Sequence, residues 1–410
     1  MLNVLKKVKE KGLKKSVRMI SVKMKKKGIL KTPALTKSRR QAVDQIIDKK
    51  YKRVIIFENH FGYYNIMLQR PQHITRQLSD EDTLVLYNSY YDIDFKDKDR
   101  ITKLKENYYI IDMFYYREIL KETWAGTDID KYLMIYSTDT VSLDMIKEYE
   151  QLDYKIIYEY VDDIDPDLIF KQNLENILNR HEYLISNNEN YIVTTATKLY
   201  NNARQINENA NVKLICNGVE CDVFSPDRKT KDPEYRRWMK EGTIKVGYYG
   251  AMASWVDYDL LKKLAEDKNI QLILIGVMHD DSLKESGLTE YENVKYFGKV
   301  PYRKLAGYAN YFDVCIIPFK LNSITESTSP VKLFEYMSLE KPVVTTALPE
   351  CKKYPVVYIA DTEEEFCKKV HLAYERKDEK AFKKELKDCA VENSWEMKAK
   401  NLKEFLEEQK

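Results

Sequence analysis

The stretch Ser327-Thr328-Ser329-Pro330-Val331-Lys332-Leu333-Phe334-Glu335-Tyr336-Met337, followed by Lys341-Pro342-Val343-Val344, decides how this chain folds. A turn of small residues leads into a helical pattern, and an apolar strand follows. The first turn of a helix has unpaired amides and the positive end of the dipole, so it attracts phosphate. Pro330 suits the first helical position, where its missing N–H costs nothing. In a helix starting there, Lys332 and Glu335 lie three residues apart and share a face. The ammonium then meets phosphate while the carboxylate reaches a neighbouring ribose diol. The spacing therefore predicts a site for a nucleotide-sugar diphosphate.

Outward from this stretch the chain reads as two α/β halves. In the first half, apolar runs from Arg53–Phe57 through Thr83–Tyr87, Tyr108–Ile111, Tyr132–Tyr136, Lys155–Tyr158 and Tyr191–Thr194 to Val212–Ile215 are strand candidates, mostly separated by helical periodicity. The second half repeats the plan, with runs at 244–249, 271–275, 294–297, 314–317, 342–345 and 356–359. Such alternation predicts parallel sheets covered by helices. The expected organisation is a basic segment over 1–50, an N-terminal Rossmann-like domain over 51–225, a polar linker over 226–240 carrying Pro226 and Pro233, a C-terminal Rossmann-like domain over 241–390, and an amphipathic helix over 391–410.

Two Rossmann-like halves also suit a nicotinamide or flavin enzyme, but the residues argue against it. Phe57-Glu58-Asn59-His60-Phe61-Gly62, after the first strand, has one glycine where G-x-G-x-x-G needs three. A Walker A sequence is absent as well. Gly247-Tyr248-Tyr249-Gly250 has two readings: tight packing, or a Gly250 that lets the loop approach phosphate without a side chain in the way.

The segment around Lys332 resembles the donor site of GT-B glycosyltransferases, in the bacterial branch whose signature reads roughly S-P-x-K-L-F-E-Y and then G-K-P-V-V. Gln69-Arg70-Pro71-Gln72-His73, Asn217-Gly218-Val219-Glu220-Cys221-Asp222-Val223-Phe224, Gly298-Lys299-Val300-Pro301-Tyr302 and Asp313 to Phe319 resemble further elements of that branch, in its order. The resemblance covers Lys52 to the C-terminus. It implies a GT-B fold, with two Rossmann-like domains facing a central cleft and a last helix that crosses back to the first domain. Two positions depart from the pattern. Glu340 stands where the branch has glycine, which affects a helix C-cap. Ser327 stands where many relatives have a glutamate, and Glu326 is one residue off.

The resemblance also implies roles. Lys332 stabilises the charge on the departing nucleoside diphosphate, beside the backbone of Thr328 and Ser329. Glu335 binds the ribose. Gly250, Ser327 and the Gly298–Pro301 segment, with Val300, complete the donor site, the last reading the base edge. Lys320 is either a second cation for the phosphates or a solvated loop charge. Asp162, at the end of the strand 155–158 region, aligns with an acidic residue suited to be the acceptor's general base, and it equally suits a helix cap or loop salt bridge. His60 and His73 lie near the expected cleft and rank below it. No cofactor and no metal are expected, since no His, Cys and carboxylate spacing suggests a metal site.

Net charge is only +3, but residues 1–50 hold seventeen Lys and Arg against Glu10, Asp44 and Asp48, a net of +14 that leaves +3 − 14 = −11 for the rest. Leu2, Leu5, Val8, Leu13, Val17, Ile20 and Met24 recur at mostly three- and four-residue steps between the lysines. That pattern predicts an amphipathic helix on an anionic membrane surface, through residues 1–45, rather than a nucleic-acid tail; a solvated tail is the alternative. Each basic residue near such a leaflet contributes about 1 kcal/mol. No run reaches the roughly 20 apolar residues of a membrane span, and no signal peptide is recognisable. The six scattered cysteines read as reduced core residues, so a cytoplasmic protein at the inner membrane face is expected. The 32 tyrosines are spread along the chain and read mainly as core.

Together these readings predict a metal-independent glycosyltransferase, moving a sugar from a nucleotide donor, expected to be a UDP-sugar, to a cell-surface glycan or lipid-linked acceptor. A UDP-sugar 2-epimerase on the same fold and a non-enzymatic glycan-binding or scaffold protein are the alternatives.

Overall fold

The computed structural model describes residues 34, 36–59, 62–64, 68–138, 141–164 and 171–408. The amphipathic pattern of residues 2–24 and His60 lie outside them. The chain divides into two compact units. The first takes the chain up to Tyr160, with Ile164–Val193 and Ala203–Lys213; the second comprises Val161–Asp163, Thr194–Asn202 and Leu214–Lys410.

The N-terminal unit is built on β1 (Arg53–Phe57), β2 (Thr83–Asn88), β3 (Ile101–Lys105), β4 (Tyr108–Ile111), β5 (Asp130–Tyr136), β6 (Lys155–Tyr160), β7 (Tyr191–Thr194) and β8 (Val212–Leu214). They form one sheet in the order β3-β4-β2-β1-β5-β6-β7-β8. β1 pairs in parallel with β2 and β5, β2 with β4 and β5 with β6, while β3 runs antiparallel to β4. Helices cover the faces, so β1, β2 and β4 are buried at every residue. Their continuous apolar runs are the sequence consequence of that burial.

The C-terminal unit holds β9 (Ile244–Tyr249), β10 (Ile270–Ile275), β11 (Val294–Tyr296), β12 (Val314–Ile317), β13 (Val343–Thr346) and β14 (Tyr358–Ala360), in the order β11-β10-β9-β12-β13-β14. All the pairs are parallel. The strand order turns back at β9, whose neighbours β10 and β12 lead to opposite edges. Parallel sheets leave a crevice for ligands at such a point, outside the carboxyl ends of the strands.

Three findings adjust the expected layout. β3, with lysines at alternate positions and only Thr102 buried, was not anticipated. Residues 226–240 belong to the C-terminal unit instead of forming a free linker. They hold the helix Pro233–Trp238, bury Tyr235 completely, and donate from Thr230 N to Gly307 O at 2.9 Å. Pro233 opens that helix rather than marking a flexible join. The closing helix Trp395–Glu407 groups with the C-terminal unit, capped by Ser394 and with Trp395 N donating to Val219 O at 3.0 Å. All six cysteines are free thiols. Among the described residues, no helix is long and apolar enough to cross a membrane.

Candidate functional site

The carboxyl ends of β9, β10 and β12 converge on the start of the helix Val331–Ser338. Pro330 is its N-cap, with φ −70° and ψ 112°, so the helix starts one residue later than the expected Pro330. Extended backbone at the cap is what a proline there permits while the next residue turns helical. The amides of Ser329, Val331 and Lys332 donate to nothing among the described residues. This helix end therefore offers free N–H groups and a positive dipole end in one place.

Lys332 projects from the second helical position onto the end of β9. Its Nζ lies 4.7 Å from the centroid of the Phe319 ring and 5.6 Å from that of Tyr248. Ring faces partly compensate an ammonium that makes no ion pair among the described residues. Burial pushes its pKa down to about 8, against the pull of the Glu335 carboxylate in the other direction. A group so placed gains most from an added anion.

Gly250, directly after β9, is the residue against which this lysine lies. Its φ is +154°, and a Cβ there would meet Tyr248 Oη at 2.8 Å and Lys332 Cε at 3.0 Å. Gly276, after β10, approaches still closer, since its Cβ would fall 1.7 Å from Gly250 O. Only glycine fits at these two strand ends, and the backbone is thereby left bare beside the ammonium. Of the two readings of Gly250, tight packing is certain and the bare approach to Lys332 accompanies it.

Glu335 follows one turn later and is 4% exposed. Its Oε2 accepts from Tyr249 Oη at 2.7 Å, and Tyr249 N donates to Tyr336 Oη at 3.0 Å. Successive side chains of a strand point to opposite faces, so Tyr248 meets Lys332 and Tyr249 meets Glu335. Burial raises the Glu335 carboxyl to about 7, with the Tyr249 hydroxyl and Lys332 opposing the rise. It is neither the exposed helical carboxylate nor a group standing free in the crevice.

The turn before the helix uses its hydroxyls internally. Ser327 Oγ donates to Ser323 O at 3.0 Å and to Asp163 Oδ2 at 3.3 Å, and Thr328 Oγ1 donates to Ile324 O at 2.9 Å. Asn217 N and Nδ2 donate to Ser329 Oγ and O at 3.2 and 2.7 Å. What these residues offer a ligand is backbone. Asp163, not anticipated, is the acid that reaches this turn, with Lys198 Nζ 3.5 Å from its Oδ2. Its neighbour Asp162 is exposed, yet the protein crowded around its carboxyl raises its pKa, and it has no hydrogen bond or ion pair to these groups among the described residues. Nothing in the sequence separates the two acids, because their difference is one of strand-end direction.

Of the remaining candidates, Lys320 is exposed; its backbone N donates to Trp255 O at 2.9 Å and its carbonyl accepts from Thr325 Oγ1 at 2.5 Å. Gly298 has φ +70° and accepts from Gly276 N at 2.8 Å, and Val300 after it is half-buried. His73 is buried in the N-terminal unit, 4% exposed. No group of three or more His, Cys, Asp or Glu able to hold a metal occurs among the described residues.

Comparison with known proteins bears on the family and the fold. Residues 245–387 match the family described as Glycosyl transferases group 1. Over 152 residues the chain is 28% identical to TuaH of Bacillus subtilis (strain 168), a glycosyltransferase that its name assigns to teichuronic acid biosynthesis. That match spans 36% of this chain and 37% of the relative's length. Among solved structures, sucrose-phosphate synthase from Thermosynechococcus elongatus superposes with a TM-score of 0.61 at 14% identity, over 87% of this chain and 99% of that one. Anabaena Alr3699/HepE, solved in complex with UDP and glucose, gives 0.56 at 12% identity, over 87% of this chain and 100% of that one. WaaG, a glycosyltransferase involved in lipopolysaccharide biosynthesis, gives 0.56 at 12%, covering 85% and 98%. The fold is that of the GT-B glycosyltransferases.

Proposed function

We propose, from a group 1 glycosyl transferase match that contains the whole crevice of β9, β10 and β12, that this protein transfers a sugar from a nucleoside diphosphate donor, UDP being the base we favour. The observation that carries the reading is the placement of Lys332: a partly desolvated ammonium beside bare glycine backbone and three free amides at a helix start. A pyrophosphate there would receive charge-assisted bonds from the lysine and the amides, which strengthen as negative charge develops on the leaving group. Glu335 supports the pentose, exchanging its bond from Tyr249 for one from a ribose hydroxyl. Gly298–Val300 borders the base. No metal is assigned a role, since Lys332 and the helix end supply the positive charge.

The acceptor is a cell-surface glycan or lipid-linked precursor. The basic, amphipathic residues 1–45 hold the enzyme to the inner membrane face, and the protein of similar sequence named for teichuronic acid biosynthesis supports a cell-surface product. Asp162, exposed and adjacent to the acid that reaches Ser327, is the base proposed for the acceptor hydroxyl. The test follows release of UDP from a panel of UDP-sugars, with and without a membrane extract supplying acceptor. Release that requires the extract and disappears in Lys332→Ala is expected. Conversion of a UDP-sugar without any acceptor would identify an epimerase, and no turnover with any donor would identify a binding protein.

A further inference from the structure

A second positively charged place lies on the C-terminal unit and shares no residue with the crevice. We infer that the hollow between the segment Arg228–Asp232 and the helix Tyr302–Ala309 binds a phosphate-bearing ligand. Its volume is about 620 Å³, and Arg228, Lys229, Lys231, Arg303 and Lys304 line it against a single acid, Asp232. Outside residues 1–50 the chain has a net charge of −11 by the count above, so this concentration does not reflect general basicity.

The one acid is already committed. Asp232 Oδ1 accepts from Glu234 N and Tyr235 N at 3.0 and 3.2 Å, capping the helix Pro233–Trp238, and Oδ2 accepts from Tyr308 Oη at 2.9 Å. The next acid along, Glu234, takes Lys295 Nζ at 2.8 Å. The side chains of Lys229, Lys231, Arg303 and Lys304 have no ion-pair or hydrogen-bond partner among the described residues. Arg303 and Lys304 also stand in the first turn of an eight-residue helix with no acidic residue there. Cations at that end repel the helix dipole, so the cluster and the dipole add their positive potentials over the hollow.

Backbone contacts hold the two walls in place. Thr230 N donates to Gly307 O at 2.9 Å, and Asn310 Nδ2 donates to Arg228 O at 2.6 Å. A Cβ at Gly307 would come within 3.1 Å of Thr230 N, so the glycine lets the segment lie directly on the helix. The two walls are fixed at the backbone, while the exposed side chains of Lys229, Lys231, Arg303 and Lys304 can turn toward the hollow from both sides. A multiply charged phosphate relieves their repulsion, whether free or on a lipid headgroup.

The experiment compares the full-length protein with two charge-matched variants. One removes Lys229, Lys231, Arg303 and Lys304 by substitution to Ala; the other removes four exposed lysines elsewhere, Lys284, Lys352, Lys368 and Lys400, in the same way. Calorimetric titration with inorganic pyrophosphate reads the site, and co-sedimentation with vesicles of phosphatidylglycerol and phosphatidylcholine reads its source. The expected result is a binding component, present in the wild type and the control, that the hollow variant loses or weakens by about tenfold. An accompanying fall in vesicle binding makes the ligand a lipid phosphate, and unchanged vesicle binding makes it a soluble one. Equal pyrophosphate binding in all three proteins overturns the inference, whatever the vesicles show. If the fourfold variant unfolds, Arg303→Gln with Lys304→Gln replaces it.

Discussion

One pair of buried charges in each unit is handled in opposite ways. In the N-terminal unit, Arg70 and Glu159, with side chains 2% and 0% exposed, form a two-pronged ion pair that fastens the helix Arg70–Leu78 to the end of β6. Glu58 takes Arg117 Nε and Asn88 Nδ2, each at 2.7 Å. In the C-terminal unit Lys332 and Glu335 share a helix but no ion pair, and burial moves their pKa values toward each other, to about 8 and about 7. Charges that satisfy one another hold a fold together; charges left short of partners at a crevice mark where a ligand completes them.

The comparison can be broken by mutation. Glu159→Ala removes both prongs of this buried pair and is expected to cost about 3–5 kcal/mol, seen as a large drop in unfolding midpoint. Lys332→Met should leave that midpoint unchanged or raise it, because it removes a desolvated cation, while donor turnover falls by about 10²–10³-fold. Equal loss of stability in both variants would erase the distinction between the two units.

Titration sharpens the comparison with a smaller effect. The Lys332 ammonium is present below about 8 and lost above it; the Glu335 carboxylate is present above about 7 and lost below it. UDP affinity, measured across pH, should therefore be highest between those values and fall on both sides. Glu335→Gln should flatten the acid limb and Lys332→Ala the alkaline one. A profile flat from pH 6 to 9 in the wild type would remove the electrostatic argument.

How much of this was legible in the sequence depends on how local the signal is. The helix start, Lys332, Glu335 and nearly every strand could be read because small residues, proline and apolar runs act within a few positions. Glu340 is an instance: at the glycine position of the pattern, it adopts φ +56°, with Lys341 N donating to Tyr336 O at 3.1 Å in a left-handed helix ending. Glu340→Gly should accordingly raise stability by about 1 kcal/mol, the smallest effect predicted here. β3 was missed because an edge strand with alternating lysines resembles a loop. The role of residues 226–240 was missed because their prolines signal a break in either setting. Asp163 at Ser327, and Tyr249 on Glu335, join positions 164 and 86 residues apart, which no spacing rule connects.

The claim on which the rest stands is that Lys332 and the helix start hold a diphosphate. Calorimetric titration of UDP into the full-length protein at pH 7.5, beside Lys332→Ala, tests it directly. Saturable binding that weakens at least about tenfold in the variant is predicted. The same affinity in both proteins, or no UDP binding by the wild type, would contradict it.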